Sequence, residues 1–260
     1  MVKLRKYYRF STLFITAFSV FLLISCGGNK YYNSKIEGKQ IAITEQTGEV
    51  AAIDNFIKPY REHIDKELDS VLAYAPETLD KSKGEWQTTI GNLMADMTVE
   101  MVNPIFESRE NKNIDICLLN HGGIRAVLPK GDVTIRTAYE IMPFDNSVVI
   151  VELKGTEIRE MANYILKEKK PHPLNGLKIV ADKNSMTVKS LTVNEKPLED
   201  SKTYYVVTSD YLSSGGDNMN FFKKSEKSHD MNYKLRHLMI DYFKKVDTIP
   251  VITSKRIIQE

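Results

Sequence analysis

Two apolar runs, residues 114–119 and 204–208, each lead into a loop that carries adjacent glycines. The loops read Asn120-His121-Gly122-Gly123-Ile124-Arg125 and Tyr211-Leu212-Ser213-Ser214-Gly215-Gly216-Asp217. Short apolar runs bounded by turn residues read as strands. Paired glycines let the backbone turn through positive φ and let another group approach the main chain closely. A fold for this chain must therefore end two strands in tight, glycine-built loops.

The rest of the pattern mixes helices and strands. Residues 40–44 read as a short strand. Between 53 and 72 the residues Ile53, Phe56, Ile57, Tyr60, Ile64 and Leu68 recur three or four apart, which predicts a helix with one buried face, kinked or split at Pro59. A second helix is expected over 89–102, with Ile90, Leu93, Met94 and Met97 on one side, and a short strand over 132–135. Thr137 with Glu140 fits a capping box opening a short helix. Residues 147–153 read as a strand, Gly155 as a turn and 156–167 as an amphipathic helix, with Ile158, Met161, Ala162 and Ile165 in register. Strands are expected at 177–181 and 187–193, a turn at Asn194-Glu195-Lys196-Pro197, and a last helix over 232–246. Without strict βαβ alternation this is an α+β fold with mixed sheets rather than a doubly wound one.

The N-terminus has a different logic. Lys3, Arg5, Lys6 and Arg9 precede an apolar stretch from Leu13 to Ile24, which ends at Leu23-Ile24-Ser25-Cys26. That order describes a secretory leader, with a single membrane anchor as the alternative. Cysteine directly after Leu-x-Ser resembles the bacterial lipobox, in which cleavage leaves Cys26 as a lipidated N-terminus. Residues 1–25 are thus expected to be a lipoprotein signal peptide, 26–35 a polar lipidated tether, and 36–260 one domain. The expected location is the bacterial cell envelope, anchored to the membrane through Cys26 and facing the periplasm or cell exterior. The formal charge of +2 becomes −2 once a leader with four basic and no acidic residues is removed, so nothing argues for nucleic-acid binding. Only Cys117 remains besides Cys26. No internal disulfide is available, and a cysteine inside an apolar strand reads as buried and inert.

The two loops gather an amide, a guanidinium, an aromatic ring and a carboxylate, a set suited to a nucleotide-like molecule. Asn120 offers donors and an acceptor for a purine edge, and Arg125 a fork for phosphate or carboxylate oxygens. A turn-capping Asn and a solvated Arg are the alternative. Phe144, in Met142-Pro143-Phe144-Asp145-Asn146, is either a partly exposed stacking ring or a core plug. Tyr211 supplies a second ring. Asp217 can accept two hydrogen bonds from a ribose diol or cap a turn. His121 follows Asn120 but is followed by Gly122, and the five histidines lack the clustering that metal binding requires. No serine nucleophile elbow, phosphate-binding glycine-lysine loop, zinc-protease helix or paired-thiol motif occurs.

These residues resemble the C-terminal domain of the 5′-nucleotidase and UDP-sugar hydrolase family. The matching segments are Gly91-Asn92-Leu93-Met94-Ala95-Asp96, Asn120 to Arg125, Met142-Pro143-Phe144 leading to Val151-Glu152-Leu153-Lys154-Gly155, and Tyr211 to Asp217. The resemblance implies an α+β fold and a substrate-binding site made of Asn120, Gly122, Gly123, Arg125, Phe144, Tyr211, Gly215, Gly216 and Asp217. Phe144 and Tyr211 would sandwich the base, Tyr211 in place of a more usual phenylalanine. Asn120 would bond the base edge, Asp217 the ribose hydroxyls, and Arg125 a phosphate oxygen or the loop itself. A family arginine before the Gly91 helix is missing, with Lys83 as a substitute.

The family's metallophosphatase domain, which holds two metals and performs the chemistry, has no counterpart motif in these residues. A metal pair makes the attacking hydroxide and neutralises phosphate charge, so no catalytic residue, metal or cofactor is expected here. The expected function is the nucleotide-recognition part of a split 5′-nucleotidase, partnered by a separate metallophosphatase chain that carries the divalent metals. The alternatives are a non-enzymatic lipoprotein that captures nucleotides or nucleosides for uptake, and a degenerate domain kept for protein interaction.

Overall fold

In a computed structural model of the chain, residues 2–23, 31–44 and 47–260 are described. Cys26, the expected lipidation site, lies outside the described residues. The chain separates into two units, Met1–Ala51 and Ala52–Glu260. In the first, helix α1 spans Val2–Leu23 and residues 31–44 are exposed without helix or strand. The strand expected over 40–44 is not formed. Exposed residues with no partner strand have nothing to offset the entropy of ordering them. Among the described residues no helix is long and apolar enough to cross a membrane.

The second unit is built around a five-stranded sheet of β2 (Ile116–Leu118), β4 (Ser147–Lys154), β5 (Leu174–Asn175), β9 (Thr203–Ser209) and β10 (Ser228–Lys234), in the order β10-β4-β9-β2-β5. Strands β2, β4 and β9 bury both faces, which is why they read as nearly continuous apolar runs, whereas the edge strand β10 is polar and largely exposed. On one face Cys117, Val148, Ile150 and Val207 meet helices α3 (Thr89–Glu110) and α7 (Leu235–Lys245) through Met94, Phe106, Leu238 and Phe243. On the other, Ile116, Leu118, Val151, Leu153 and Val206 meet helix α5 (Gly155–Glu168) through Ile158, Met161 and Ile165. The same face packs against β6 (Leu177–Ala181) and β7 (Val188–Val193) through Ile179 and Leu191. These two strands belong to a four-stranded sheet, β11-β6-β7-β8, with β8 at Lys196–Pro197 and β11 at Ile257–Gln259. A third, two-stranded sheet pairs β1 (Val71–Ala75) with β3 (Gly131–Thr134). Cys117 is fully buried, and burial pushes its thiol pKa up, so it is an inert core residue.

Several boundaries differ from expectation. Helix α2 spans Ala51–Leu68 and has no buried residue. Its apolar stripe, including Ile53 (60% exposed) and Phe56 (70%), faces solvent instead of a core. The chain past Leu68 enters β1 rather than continuing as helix. Helix α3 runs eight residues past 102 and contains Pro104. Helix α4 (Ile135–Ile141) is opened by Thr134, whose hydroxyl accepts from the Thr137 N–H, so the capping box is Thr134–Thr137 rather than Thr137–Glu140. Residues 232–234 belong to β10, not to the last helix.

The Gly91–Asp96 segment proves to be an anchor. Thr88 caps α3 by accepting from the Gly91 N–H at 3.0 Å. Asn92 donates to the Ile252 and Ser254 carbonyls at 3.0 and 3.1 Å. Asp96 takes two 2.7 Å contacts from Arg256. These polar residues fasten the C-terminal tail to the domain.

Candidate functional site

The position of the site follows from one pairing. Within the five-stranded sheet β2 runs parallel to β9, with Ile116 opposite Val206, whereas β4 is antiparallel to β9, with Val148 opposite Ser209. The loops leaving the carboxyl ends of β2 and β9, and the loop entering the amino end of β4, therefore emerge at the same edge. Crevices outside the carboxyl ends of adjacent parallel strands are where open sheets commonly bind ligands. A buried bond from Thr208 Oγ1 to the Leu118 carbonyl, 2.8 Å, fixes the two strands just before their loops begin.

The first loop forms a 3-10 turn over His121–Gly123. The Gly123 N–H donates to the Asn120 carbonyl at 3.1 Å, and the Arg125 N–H to the Ile141 carbonyl at 2.8 Å. From behind, the His121 N–H donates to His172 Nδ1 at 3.2 Å. The Arg125 guanidinium donates to the Gly122 carbonyl at 3.3 Å and lies 5.9 Å from the Phe144 ring centroid.

The second loop is built differently. Ser209 caps a short helix α6 (Asp210–Ser213) by accepting from the Leu212 N–H. Gly215 then takes φ +90°, and Asp217 and Asn218 also lie at positive φ. A Cβ on Gly216 would sit 2.5 Å from the Tyr211 ring and 2.6 Å from the Tyr211 carbonyl oxygen, so only glycine lets that ring fold over the chain. The Tyr211 hydroxyl donates to Asp217 Oδ1 at 2.8 Å and accepts from the Asp217 N–H at 3.2 Å. The bond to the carboxylate raises the phenol's pKa, keeping it a donor. Tyr164 OH holds the Asp217 carbonyl at 2.6 Å.

Asp217 joins the loops. Its Oδ2 accepts from Asn120 Nδ2 at 2.7 Å, so the two residues expected to address base and ribose also bond each other across the site. A carboxylate has lone pairs for about four donors, which leaves room for a diol. The structure brings seven of the nine expected contact residues onto one cavity of about 370 Å³: Asn120, Gly122, Gly123, Arg125, Phe144, Tyr211 and Asp217. Gly215 and Gly216 do not line it; they shape the backbone beneath Tyr211. Phe144 and Tyr211 are 43% and 44% exposed, so both rings offer open faces rather than plugging the core.

Three further residues carry no sequence signal. Asn146 joins the cavity wall. Arg236, buried on α7, donates to the Met142 and Phe144 carbonyls, pairs with Asp145 and lies 4.3 Å from the Tyr139 ring centroid, which holds the Phe144 loop in place. The cation that reaches the first loop is Lys81, which donates to the Ile124 carbonyl. Burial, then the nearby Arg125 charge, lowers its pKa. Lys83, the expected substitute, is exposed. Among the described residues no group of three His, Cys, Asp or Glu side chains is placed to share a metal.

The structure is an α+β domain with a ring-walled, polar cavity at the edge of its mixed sheet. The family model for the 5′-nucleotidase C-terminal domain matches residues 71–224, and the chain belongs to that family. Among similar sequences, the trifunctional nucleotide phosphoesterase protein YfkN of Bacillus subtilis (strain 168) is 22% identical over 222 residues, 79% of this chain and 15% of its own length. An apyrase of Tabanus yao is 22% identical over 240 residues, 85% of this chain and 43% of its own. The 5′-nucleotidase precursor from Thermus thermophilus has the same fold, with a TM-score of 0.67, 24% identity, and coverage of 79% of this chain and 42% of that one. The chain thus spans less than half the length of these relatives.

Proposed function

We propose that this domain recognises the base and ribose of a nucleotide, and that a metallophosphatase outside these 260 residues, carrying its own divalent metals, hydrolyses the phosphate ester. The observation that carries the reading is the convergence of Asn120, Arg125, Phe144, Tyr211 and Asp217 on one cavity. Its contents match the ligand: two rings for the base, an amide for its edge, a carboxylate for the diol, and Arg125 beside Lys81 for a phosphate oxygen. The basic, then apolar N-terminal stretch and Cys26 support secretion and lipid anchoring in the cell envelope.

Calorimetry with AMP, adenosine and UDP-glucose tests the binding step. Tyr211→Ala removes a stacking face worth about 1–3 kcal/mol, so AMP affinity should fall about fivefold to 150-fold. Unchanged affinity removes Tyr211 from the site. Robust metal-dependent phosphatase activity from the isolated chain would overturn the divided enzyme. Tight binding with no gain of turnover on adding any metallophosphatase favours capture for uptake.

A further inference from the structure

Helix α2 carries an apolar stripe and has no buried residue. At its C-terminal end it is moored to α4, where Arg136 donates to Asp65 at 2.8 Å and to Asp69 at 2.7 Å. There Ile64 and Leu68 wall a groove of about 660 Å³ together with Ile135, Tyr139 and Ile240. Towards the N-terminus Tyr60, Ile57 and Ile53 continue the stripe, all exposed. A helix of 18 residues is marginal on its own, and Pro59 removes one of its internal hydrogen bonds. At this length stability comes from packing of the apolar face.

The spacing of the stripe defines what packs on it. Ile53, Ile57, Tyr60 and Ile64 are separated by alternating steps of four and three, the seam of a coiled coil, whose partner is a second helix. The charges beside the seam match a copy of α2 itself. Asp54 and Arg61 lie on one flank, and within a single helix they bond each other at 3.1 Å. In an antiparallel pair with a two-fold axis between Ile57 and Tyr60, Ile57 meets Tyr60 of the second copy and Ile53 meets its Ile64. Asp54 then stands within about 3 Å, along the helix axis, of Arg61 of the second copy, and the two-fold repeats that pair. Exposed ion pairs contribute little affinity; here they set direction and register, while the seam supplies the association. A lipid surface fits less well. The helix carries Asp54, Glu62, Asp65 and Glu67 against Lys58, Arg61 and Lys66, so it lacks the basic excess that anionic headgroups attract.

We infer that α2 is a self-association surface, through which two copies of this chain pair as an antiparallel coiled coil. No residue of α2 lines the ring-walled cavity, so the pairing is independent of what that cavity binds.

Sedimentation equilibrium of the full chain over a range of concentrations tests the pairing. The wild type is expected to show a monomer–dimer equilibrium. Ile57→Glu puts a charge into the seam and should abolish the dimer, with the melting temperature of the domain held because α2 buries nothing in its core. Asp54→Arg and Arg61→Asp each set like charges face to face and should each weaken the dimer. Mixing these two variants should restore it, since each supplies the charge that the other lacks. Neither variant keeps its own Asp54–Arg61 bond, so recovery on mixing arises between chains. Association through the apolar helix α1 would ignore all of these changes. A wild type that stays monomeric across the range overturns the proposal. So does a dimer that survives Ile57→Glu, or a pair of variants that fails to recover on mixing. A monomeric wild type that binds phosphatidylglycerol vesicles, and loses them with Ile57→Glu, overturns it in favour of a membrane-lying helix.

Discussion

The two glycine loops look alike in sequence but differ in how they are built. The second is a locked backbone: Gly215, Asp217 and Asn218 at positive φ, the Tyr211 ring folded onto Gly216, and its hydroxyl tied to Asp217. The first is open at Gly122, where a Cβ would meet only Asn120 Nδ2 at 3.5 Å and Asp217 Oδ2 at 3.8 Å, and close-packed at Gly123, where it would sit 2.8 Å from Asn120 Oδ1. Its rigidity comes from outside, through His172 and Ile141. Paired glycines thus serve two purposes here: positive φ and close packing under Tyr211 in one wall, and in the other an open position at Gly122 beside a close approach of the Asn120 side chain at Gly123.

Acid should break the first loop's support most strongly. The His172 pKa is lowered from 6.5 to about 4 in the folded chain. The unfolded chain therefore binds more protons across that window, and stability falls as pH drops from about 6.5 to about 4. The full shift corresponds to about 3 kcal/mol. Melting temperatures across that range should fall less steeply for His172→Phe than for the wild type; parallel curves would show that His172 is not held neutral.

Gly216→Ala attacks the second loop. Its Cβ would collide with both the Tyr211 ring and backbone, and overpacking of this kind costs about 1–3 kcal/mol. Denaturant titration should show that loss, and AMP affinity should fall with it. Tyr211→Phe is milder. It keeps the stacking face but deletes the hydroxyl bond to Asp217, worth about 0.5–1.5 kcal/mol, so binding should weaken less than with Tyr211→Ala. Equal losses would mean that the hydroxyl, not the ring, dominates. The smallest stability effect belongs to Gly122→Ala, within about 0.5 kcal/mol, while AMP binding weakens because the methyl group narrows the cavity floor. A destabilisation as large as that of Gly216→Ala would erase the distinction between the loops.

Much of this was legible in the sequence, for identifiable reasons. Strands β2, β4 and β9 of the central sheet are apolar because both faces are covered, and α5 shows its register because only one face is. The contact residues sit in the loops that punctuate those strands. What stayed hidden is non-local. Nothing in residues 116–118 or 203–209 says that these strands lie side by side and parallel, although that pairing assembles the site. Asn92 and Asp96 matched a family segment without showing that their partners lie beyond residue 250. The three-and-four spacing of α2 predicted burial, but periodicity reports an apolar face and not what covers it. Arg236 and Lys81 reach the site from elsewhere in the chain through long side chains, which local patterns cannot reveal.

The parallel pairing of β2 and β9 has a consequence for how this pocket can change. Neighbouring strands stand roughly 4.8 Å apart whatever their side chains, and the two loops start from that fixed gauge. The jaws are thus set by the main chain, and the side chains only furnish them. On the proposed reading, exchanging Asn120 or Tyr211 re-tunes which flat molecule is held without moving the frame. A domain of this design can drift in preference while its architecture stands still.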